Sequence, residues 1–557
     1  NIIKGRLRGE SMFDKKKIGI GIDDFKSVIE KNYYFVDKSK LIEDIIADGA
    51  IVKLFCRPRR FGKTLNMSMM KYFFDIREKE ENRKLFDGLY IENSPMIEEQ
   101  GKYPVIFLTL KEIKGNNIES MYTQIKTLIS DLFNQYEYLR ENLNERDIEI
   151  FDNFWKRKDE DYSNSLKFLI NCLSKYYQQK VILLIDEYDT PLLTAHEFGY
   201  YNEALQFFKT FYGGALKSNV NLQMGVLTGI IRVAQAGIFS DLNNFYSNTI
   251  LENEYSQYFG LLEAEVENML KYYEIEYKID NVKEWYNGYT FGKVQVYNPW
   301  SILHFVRTKE LKPFWVNTSS NYLIREILRK SGRDIFDSLE KLFNQEEIRV
   351  RINPNVEVHS NLNANEIFSL MLYSGYLTIK KEIADNVFTI RIPNKEIISF
   401  FHNTFIEIIF KDSIDIDDVK FSLIDRDLKG FEKAFSKLIA QYLSSYDISS
   451  PYENPYHMFL LGFFTSMRSD YIVNSNQESG YGRPDIVLRP LNKTKTGYIM
   501  ELKAVKKGES IEKKLEEAKK QLIETYYEAD LEKNGIKDIV KIAIVFEGKR
   551  VEFKYVD

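Results

Sequence analysis

At 557 residues, with 44% hydrophobic and 29% charged residues and a formal charge of −5, the chain is too long for one core and has the composition of a folded globular protein. The slight acidity excludes a surface that is one continuous nucleic-acid patch, so any such contact is local. The longest apolar runs, such as "VILLI" and "FLLGFF", fall far short of the roughly 20 residues that cross a bilayer, so no membrane span is expected.

The length suggests roughly two to four domains. Residues before Met12 ("NIIKGRLRGES") show no periodicity and read as an upstream extension or an expression remnant. The start lacks the pattern of a secretory signal, and Cys56 and Cys172 make no paired framework, so a reducing cytoplasm is the expected location.

The first informative element is "AIVKLF" (50–55), β-rich and barely alternating, which fits a strand buried on both faces of a parallel sheet. It runs into "RPRRFGKT" (57–64), whose Gly62, Lys63 and Thr64 fill the last places of a phosphate-binding P-loop. Glycine lets the backbone approach phosphate, lysine neutralises its oxygens, and the threonine hydroxyl can reach Mg²⁺ at a helix N-terminus. Arg57 stands where such a loop ordinarily begins with glycine, and a basic strand-to-helix turn would read much the same.

"KVILLIDEYDTPL" (180–192) is a second buried strand, delivering Asp186 and Glu187 to its carboxyl end, where ligands of open α/β sheets bind. In this Walker B pattern Asp186 holds Mg²⁺ and Glu187 polarises the attacking water; an Asp helix cap followed by a solvated Glu is the plainer alternative. A third strand, "LQMGVLTGI" (222–230), ends in Thr228, with Arg232 just beyond. These two fit a γ-phosphate sensor and an arginine acting in cis or in trans, and equally a strand-end polar residue and a surface cation.

Residues 320–420 read as helices followed by "SGYLTIKKEIADNVFTIRIPN" (374–394), two β-rich runs around Asn386. Helices before a hairpin suit a winged-helix module, and without a concentrated basic helix docking is favoured over DNA contact. Near the end, "ESGYGRPDIVLRP" (478–490) opens a strand at Asp485, and "TGYIMELKA" (496–504) sets Glu501 and Lys503 two apart on the next. Period-two geometry puts Glu501 and Lys503 on one face, where both can meet Asp485. Two carboxylates can hold Mg²⁺ and an adjacent lysine can orient or deprotonate water, which is the D-x(n)-E-x-K constellation of PD-(D/E)XK nucleases. Glu453 and Glu478 are further acidic candidates, whereas His457 has no second histidine at ligand spacing. "KKGESIEKKLEEAKKQL" reads as a solvated helix supported by ion pairs.

The chain resembles the bacterial AAA-ATPase-like proteins that carry a C-terminal PD-(D/E)XK nuclease-like domain. The resemblance rests on "YYFVDKSKLI" (33–42), "RPRRFGKTLNMSM" (57–69), "LLIDEYDTPL" (183–192), "GIFSDLNNF" (237–245), "WYNGYTFG" (285–292), "VYNPWSIL" (296–303) and "SGYLTI" (374–379). In that family an arginine at the place of Arg57 is typical. The resemblance implies an α/β chain: an extension over 1–19, an AAA-like P-loop core over 20–254, a lid over 255–319, a winged-helix-like region over 320–420 and a nuclease-like domain over 421–557. It implies ATP and Mg²⁺ at Gly62, Lys63, Thr64 and Asp186. Arg57, Arg59 and Arg60 either contact phosphate or pair with acids such as Asp37. In the C-terminal domain Asp485, Glu501 and Glu478 become metal ligands, Lys503 the catalytic base, and Gln521 with Tyr526 the Gln-Tyr pair frequent in such nucleases. DNA is the expected partner and a homo-oligomer stays open. A nucleotide-dependent switch with a non-catalytic nuclease-like fold is the alternative.

Overall fold

The computed structural model describes residues 15–158, 160–233, 245–276, 279–315, 335, 338–339, 341–342, 345–355, 362–401, 414–442, 463–464, 467, 470–475, 484–505 and 508–556. The chain forms two compact units, one of Asn1–Ser319 with Glu347–Glu396 and one of Ser320–Glu346 with Ile397–Asp557. The region read as a single winged-helix-like module over 320–420 is thus shared between them.

The first unit is built on a parallel sheet of β1 (Val52–Cys56), β2 (Val105–Thr109), β3 (Val181–Asp186), β4 (Leu222–Gly229) and β5 (Phe245–Asn248), in the order β2-β3-β4-β1-β5. Every residue of β1 and of β3 is buried, which is why both read as unbroken apolar runs. Because β4 lies between β1 and β3, the strand ending near Thr228 separates the P-loop strand from the one that delivers Asp186. Gly62, at φ +82°, turns the chain from β1 into helix Lys63–Phe74.

Three helices, Glu263–Tyr272, Ile279–Tyr286 and Pro299–Thr308, bury Val266, Tyr286, Tyr297 and Phe305 in a smaller core of their own. Beside them lies the hairpin β6 (Tyr289–Phe291) and β7 (Val294–Val296). Strands β8 (Ile348–Arg351), β9 (Thr378–Ala384) and β10 (Val387–Arg391) form an antiparallel sheet in the order β8-β10-β9. Helix Ala364–Tyr373 precedes the β9–β10 hairpin, whose turn puts Asn386 at φ +57°. Gly288, at φ +103°, passes so close to this region that a Cβ there would lie 2.1 Å from the carbonyl oxygen of Pro393.

The second unit holds a mixed sheet of β11 (Tyr471–Ser475), β12 (Ile486–Pro490), β13 (Gly497–Ala504), β14 (Ile539–Glu547) and β15 (Arg550–Val556), in chain order. Only β13 and β14 run parallel, with helix Ile511–Glu524 in the connection between them. One sheet face packs Tyr498, Met500 and Leu502 against Phe431, Phe435 and Leu438. On the other face Ile499 and Ala543 meet Ala518 and Leu522 of helix Ile511–Glu524. Among the described residues no helix is long and apolar enough to cross a membrane.

Candidate functional site

The carboxyl edge of the parallel sheet gathers the first group of residues. Asp186 ends β3 fully buried, and its Oδ2 accepts the Thr64 hydroxyl at 2.7 Å while its Oδ1 accepts the Thr228 hydroxyl. Two distant sequence segments, at Thr64 and Thr228, therefore converge on one carboxylate. Lys63 is 6% exposed, and its amine donates to the carbonyls of Arg57 and Pro58, both at 2.9 Å. Burial pushes the Asp186 carboxyl up and the Lys63 amine down, in each case against the charged form.

Glu187 follows at φ +54°, a left-handed conformation that a β-carbon disfavours, and its Oε2 accepts the Thr190 hydroxyl at 3.0 Å. Arg60 also lies in this region, at φ +68°. Both flanks of the site thus carry local backbone strain. Arg232 sits beyond β4 with its guanidinium 5.9 Å from the Phe245 ring centre.

The arginines of the loop behave differently from one another. Arg57 is fully buried, donating to the backbone carbonyl of Asn248 at 3.0 Å and to its side chain, with its guanidinium 4.8 Å from the Phe259 ring centre. Arg60 lies 3.9 Å over the Trp300 ring, and the Arg59 carbonyl accepts the Trp315 indole N–H at 3.1 Å. Asp37 pairs with none of them; its carboxylate accepts the backbone N–H groups of Ser39 and Tyr90 at 2.8 and 2.6 Å.

Sequence reasoning passed over the rest of "DEYD". Asp189 is 1% exposed, and its Oδ2 accepts the N–H groups of Ile230 and Ile231 at 2.7 and 3.0 Å. Burial pushes its carboxyl up to about 6. The Tyr188 hydroxyl donates to the Ile231 carbonyl at 2.8 Å and accepts the Val233 N–H at 3.0 Å. These two side chains fix the turn leaving β4, and so the backbone that carries Thr228 and Arg232. The signal was present in two polar residues following directly on the chemical pair.

In the second unit, Ile486 pairs with Met500 in the antiparallel register of β12 and β13, which brings Asp485 opposite Glu501. The Asp485 Oδ2 accepts the Leu502 N–H at 2.7 Å, and Lys503 donates to Glu501 Oε1 at 2.8 Å. Glu501 is 1% exposed. The structure therefore brings together Asp485, Glu501 and Lys503, an all-oxygen pair with an adjacent amine. Gln521, on helix Ile511–Glu524, donates to the Tyr527 hydroxyl at 3.0 Å, whereas Tyr526 is 47% exposed and donates to Glu532 at 2.6 Å. The tyrosine that joins Gln521 is thus Tyr527, one residue beyond the expected Tyr526. Glu453, His457 and Glu478 lie outside the described residues. Among the described residues no three or more His, Cys, Asp or Glu side chains group as a metal cage.

Residues 19–239 match the family described as predicted AAA-ATPase, and residues 451–555 match the PD-(D/E)XK nuclease superfamily. Over 397 residues, 69% of this chain and 68% of the other, the sequence is 25% identical to an uncharacterised protein encoded in the vnfD 5′ region of Azotobacter chroococcum mcd 1. A parallel sheet with a phosphate-type loop in the first unit, and a mixed sheet carrying Asp485, Glu501 and Lys503 in the second, agree with both matches. The chain accordingly joins an AAA-ATPase-like domain to a C-terminal domain of the PD-(D/E)XK nuclease superfamily.

Proposed function

We propose that the chain binds and hydrolyses ATP in its first unit, and that nucleotide state controls a Mg²⁺-dependent cleavage of DNA phosphodiesters in its second. The observation that carries the nucleotide half is the convergence of Thr64 and Thr228 on Asp186. An ammonium has three N–H bonds, and Lys63 directs two at the loop's own carbonyls, which fixes the amine where the third can meet a phosphate oxygen. Thr64 and Asp186 offer hard oxygen donors suited to Mg²⁺. Glu187 beside them is the base that orients the attacking water. Thr228 links the acid to the end of β4 and is the residue suited to sense the terminal phosphate, with Arg232 in the same turn.

In the nuclease half, Asp485 and Glu501 offer oxygen ligands of the kind Mg²⁺ takes, and a bound ion there stabilises charge on the phosphate. Lys503, held by Glu501 at 2.8 Å, is positioned to orient or deprotonate water. Gln521 supports substrate or water from the adjacent helix, with Tyr527 fixing its amide. A reducing cytoplasm suits the free, buried thiols of Cys56 and Cys172.

The test is cleavage of plasmid and linear DNA with Mg²⁺ or Mn²⁺, with and without ATP, alongside ATP binding. Wild type is expected to cut, and Asp485→Ala and Lys503→Ala to lose cutting while still binding ATP. Lys63→Ala is expected to lose tight ATP binding. Cleavage surviving both C-terminal substitutions removes this site, and no cleavage under any condition leaves a nucleotide-dependent switch with a non-catalytic C-terminal domain.

A further inference from the structure

Two adjacent P-loop residues are each held by a tryptophan from outside the loop. Trp315 donates its indole N–H to the Arg59 carbonyl at 3.1 Å, and the Arg60 guanidinium stacks 3.9 Å over Trp300. Trp300 in turn donates its own indole N–H to the carbonyl of Phe314 at 3.2 Å. Both ties therefore end on the dipeptide Phe314–Trp315.

That dipeptide is fixed by one buried acid. Glu396, 0% exposed, accepts the N–H groups of Phe314 and Trp315 on Oε1 at 2.6 and 2.8 Å, and the Ser301 hydroxyl on Oε2 at 2.8 Å. A carboxylate this deep is costly unless hydrogen-bonded, and here the donors come from helix Pro299–Thr308 and from the segment that follows it. Gly375 presses from another side, since a Cβ there would lie 2.9 Å from Cβ of Pro58. The Trp315 ring also packs edge-on against Tyr376 at 5.2 Å.

The place of these residues in the chain gives the arrangement its meaning. The polypeptide passes between the two compact units three times; Trp315 comes shortly before the first passage, at Ser319–Ser320, and Glu396 is the last residue before the third. We propose that Trp300, Trp315 and Glu396 are positioning residues through which occupancy of the P-loop is felt at the chain segments leading into the nuclease unit. The proposal rests on reading residues 57–64 as the nucleotide cradle. In a trans peptide the C=O and N–H point in opposite directions, so holding the Arg59 carbonyl on Trp315 also sets the direction of the Arg60 N–H. A phosphate that recruits that N–H therefore acts directly on the Trp315 bond, and through it on the dipeptide held by Glu396.

The experiment is amide hydrogen exchange on the full chain, with and without ATP and Mg²⁺, beside a direct measurement of ATP affinity. In wild type, ATP is expected to slow exchange at the Phe314 and Trp315 amides by about 5-fold or more. Trp315→Phe keeps the ring on Tyr376 and deletes the indole donor; it is expected to bind ATP within about 10-fold of wild type and to lose the slowing at Phe314. Glu396→Gln, a near-isosteric change, is expected to weaken the same response. Bound ATP with protection confined to residues 57–64 overturns the proposal while leaving the nucleotide reading intact. Full slowing in Trp315→Phe overturns it as well. Failure of wild type to bind ATP brings down the cradle and this relay together.

Discussion

Arg57 donates to both the backbone carbonyl and the side chain of Asn248, so the residue standing where a P-loop ordinarily begins with glycine is a strut between β1 and β5. Its guanidinium is closed off by Phe259 and Phe291, with ring centres 4.8 and 5.4 Å away. A buried fork of this kind cannot be reproduced by an ammonium.

Arg57→Ala is therefore expected to lower stability by about 1–3 kcal/mol, the range for leaving buried neutral acceptors without their donor. Arg57→Lys is expected to recover less than half of that. Denaturant unfolding measures both, and a midpoint shift within error of zero for Arg57→Ala would show that Asn248 finds another partner.

Thr228→Val keeps the shape of the side chain and deletes the donor to Asp186. ATP turnover is expected to fall about 10- to 100-fold, equivalent to about 1.4–2.7 kcal/mol of barrier, with the fold retained. Steady-state hydrolysis with circular dichroism as the folding control decides it. Unchanged turnover would reduce Thr228 to a strand-end hydroxyl.

The two neighbouring tyrosines of the C-terminal domain separate cleanly. Tyr527→Phe removes the hydroxyl that accepts from Gln521 and is expected to reduce DNA cleavage severalfold, whereas Tyr526→Phe, at an exposed ring, is expected to leave it unchanged. The reverse ranking would return Tyr526 to the site.

Glu396 gives the first unit a pH signature. Burial pushes its carboxyl from 4.5 up to about 7, against the opposing hydrogen bonds from Trp315, Ser301 and Phe314. The folded state therefore holds an extra proton between those two values. Its stabilising share is complete below about 4.5, declines as pH rises toward 7, and levels off above, with a slope of at most about 1.4 kcal/mol per pH unit. Thermal melts of wild type and Glu396→Gln across pH 5 to 8 are expected to converge at the acid end and diverge toward neutrality. Parallel curves would mean that Glu396 does not titrate in this window.

The placement of the candidate residues was legible where they ride on elements with strong local signals. The apolar runs of β1 and β3 announced buried strands, which put Gly62, Lys63 and Asp186 at or just beyond strand ends. Period-two spacing likewise put Glu501 and Lys503 together. Contacts between residues far apart in sequence were not readable. Nothing around Trp315 marks it as a neighbour of Arg59, or Glu396 as a neighbour of Trp315, since a buried glutamate and a packed tryptophan look the same in a string wherever they dock. Tyr526 and Tyr527 lie just past the end of helix Ile511–Glu524, where Tyr526 turns to φ +48° and helical register no longer extrapolates.

The pairing of β1 has a consequence for how the protein is made. This strand bonds only with β4 and β5, so Val52 must wait for Gly225 and Phe245 to emerge before either edge is covered. During synthesis β1 stands without either neighbour while the whole of β2 and β3 is being added, and unpaired strand edges of this kind are where unfinished sheets associate wrongly. The sheet edge that carries residues 57–64 is consequently completed late, once β4 and β5 have been added.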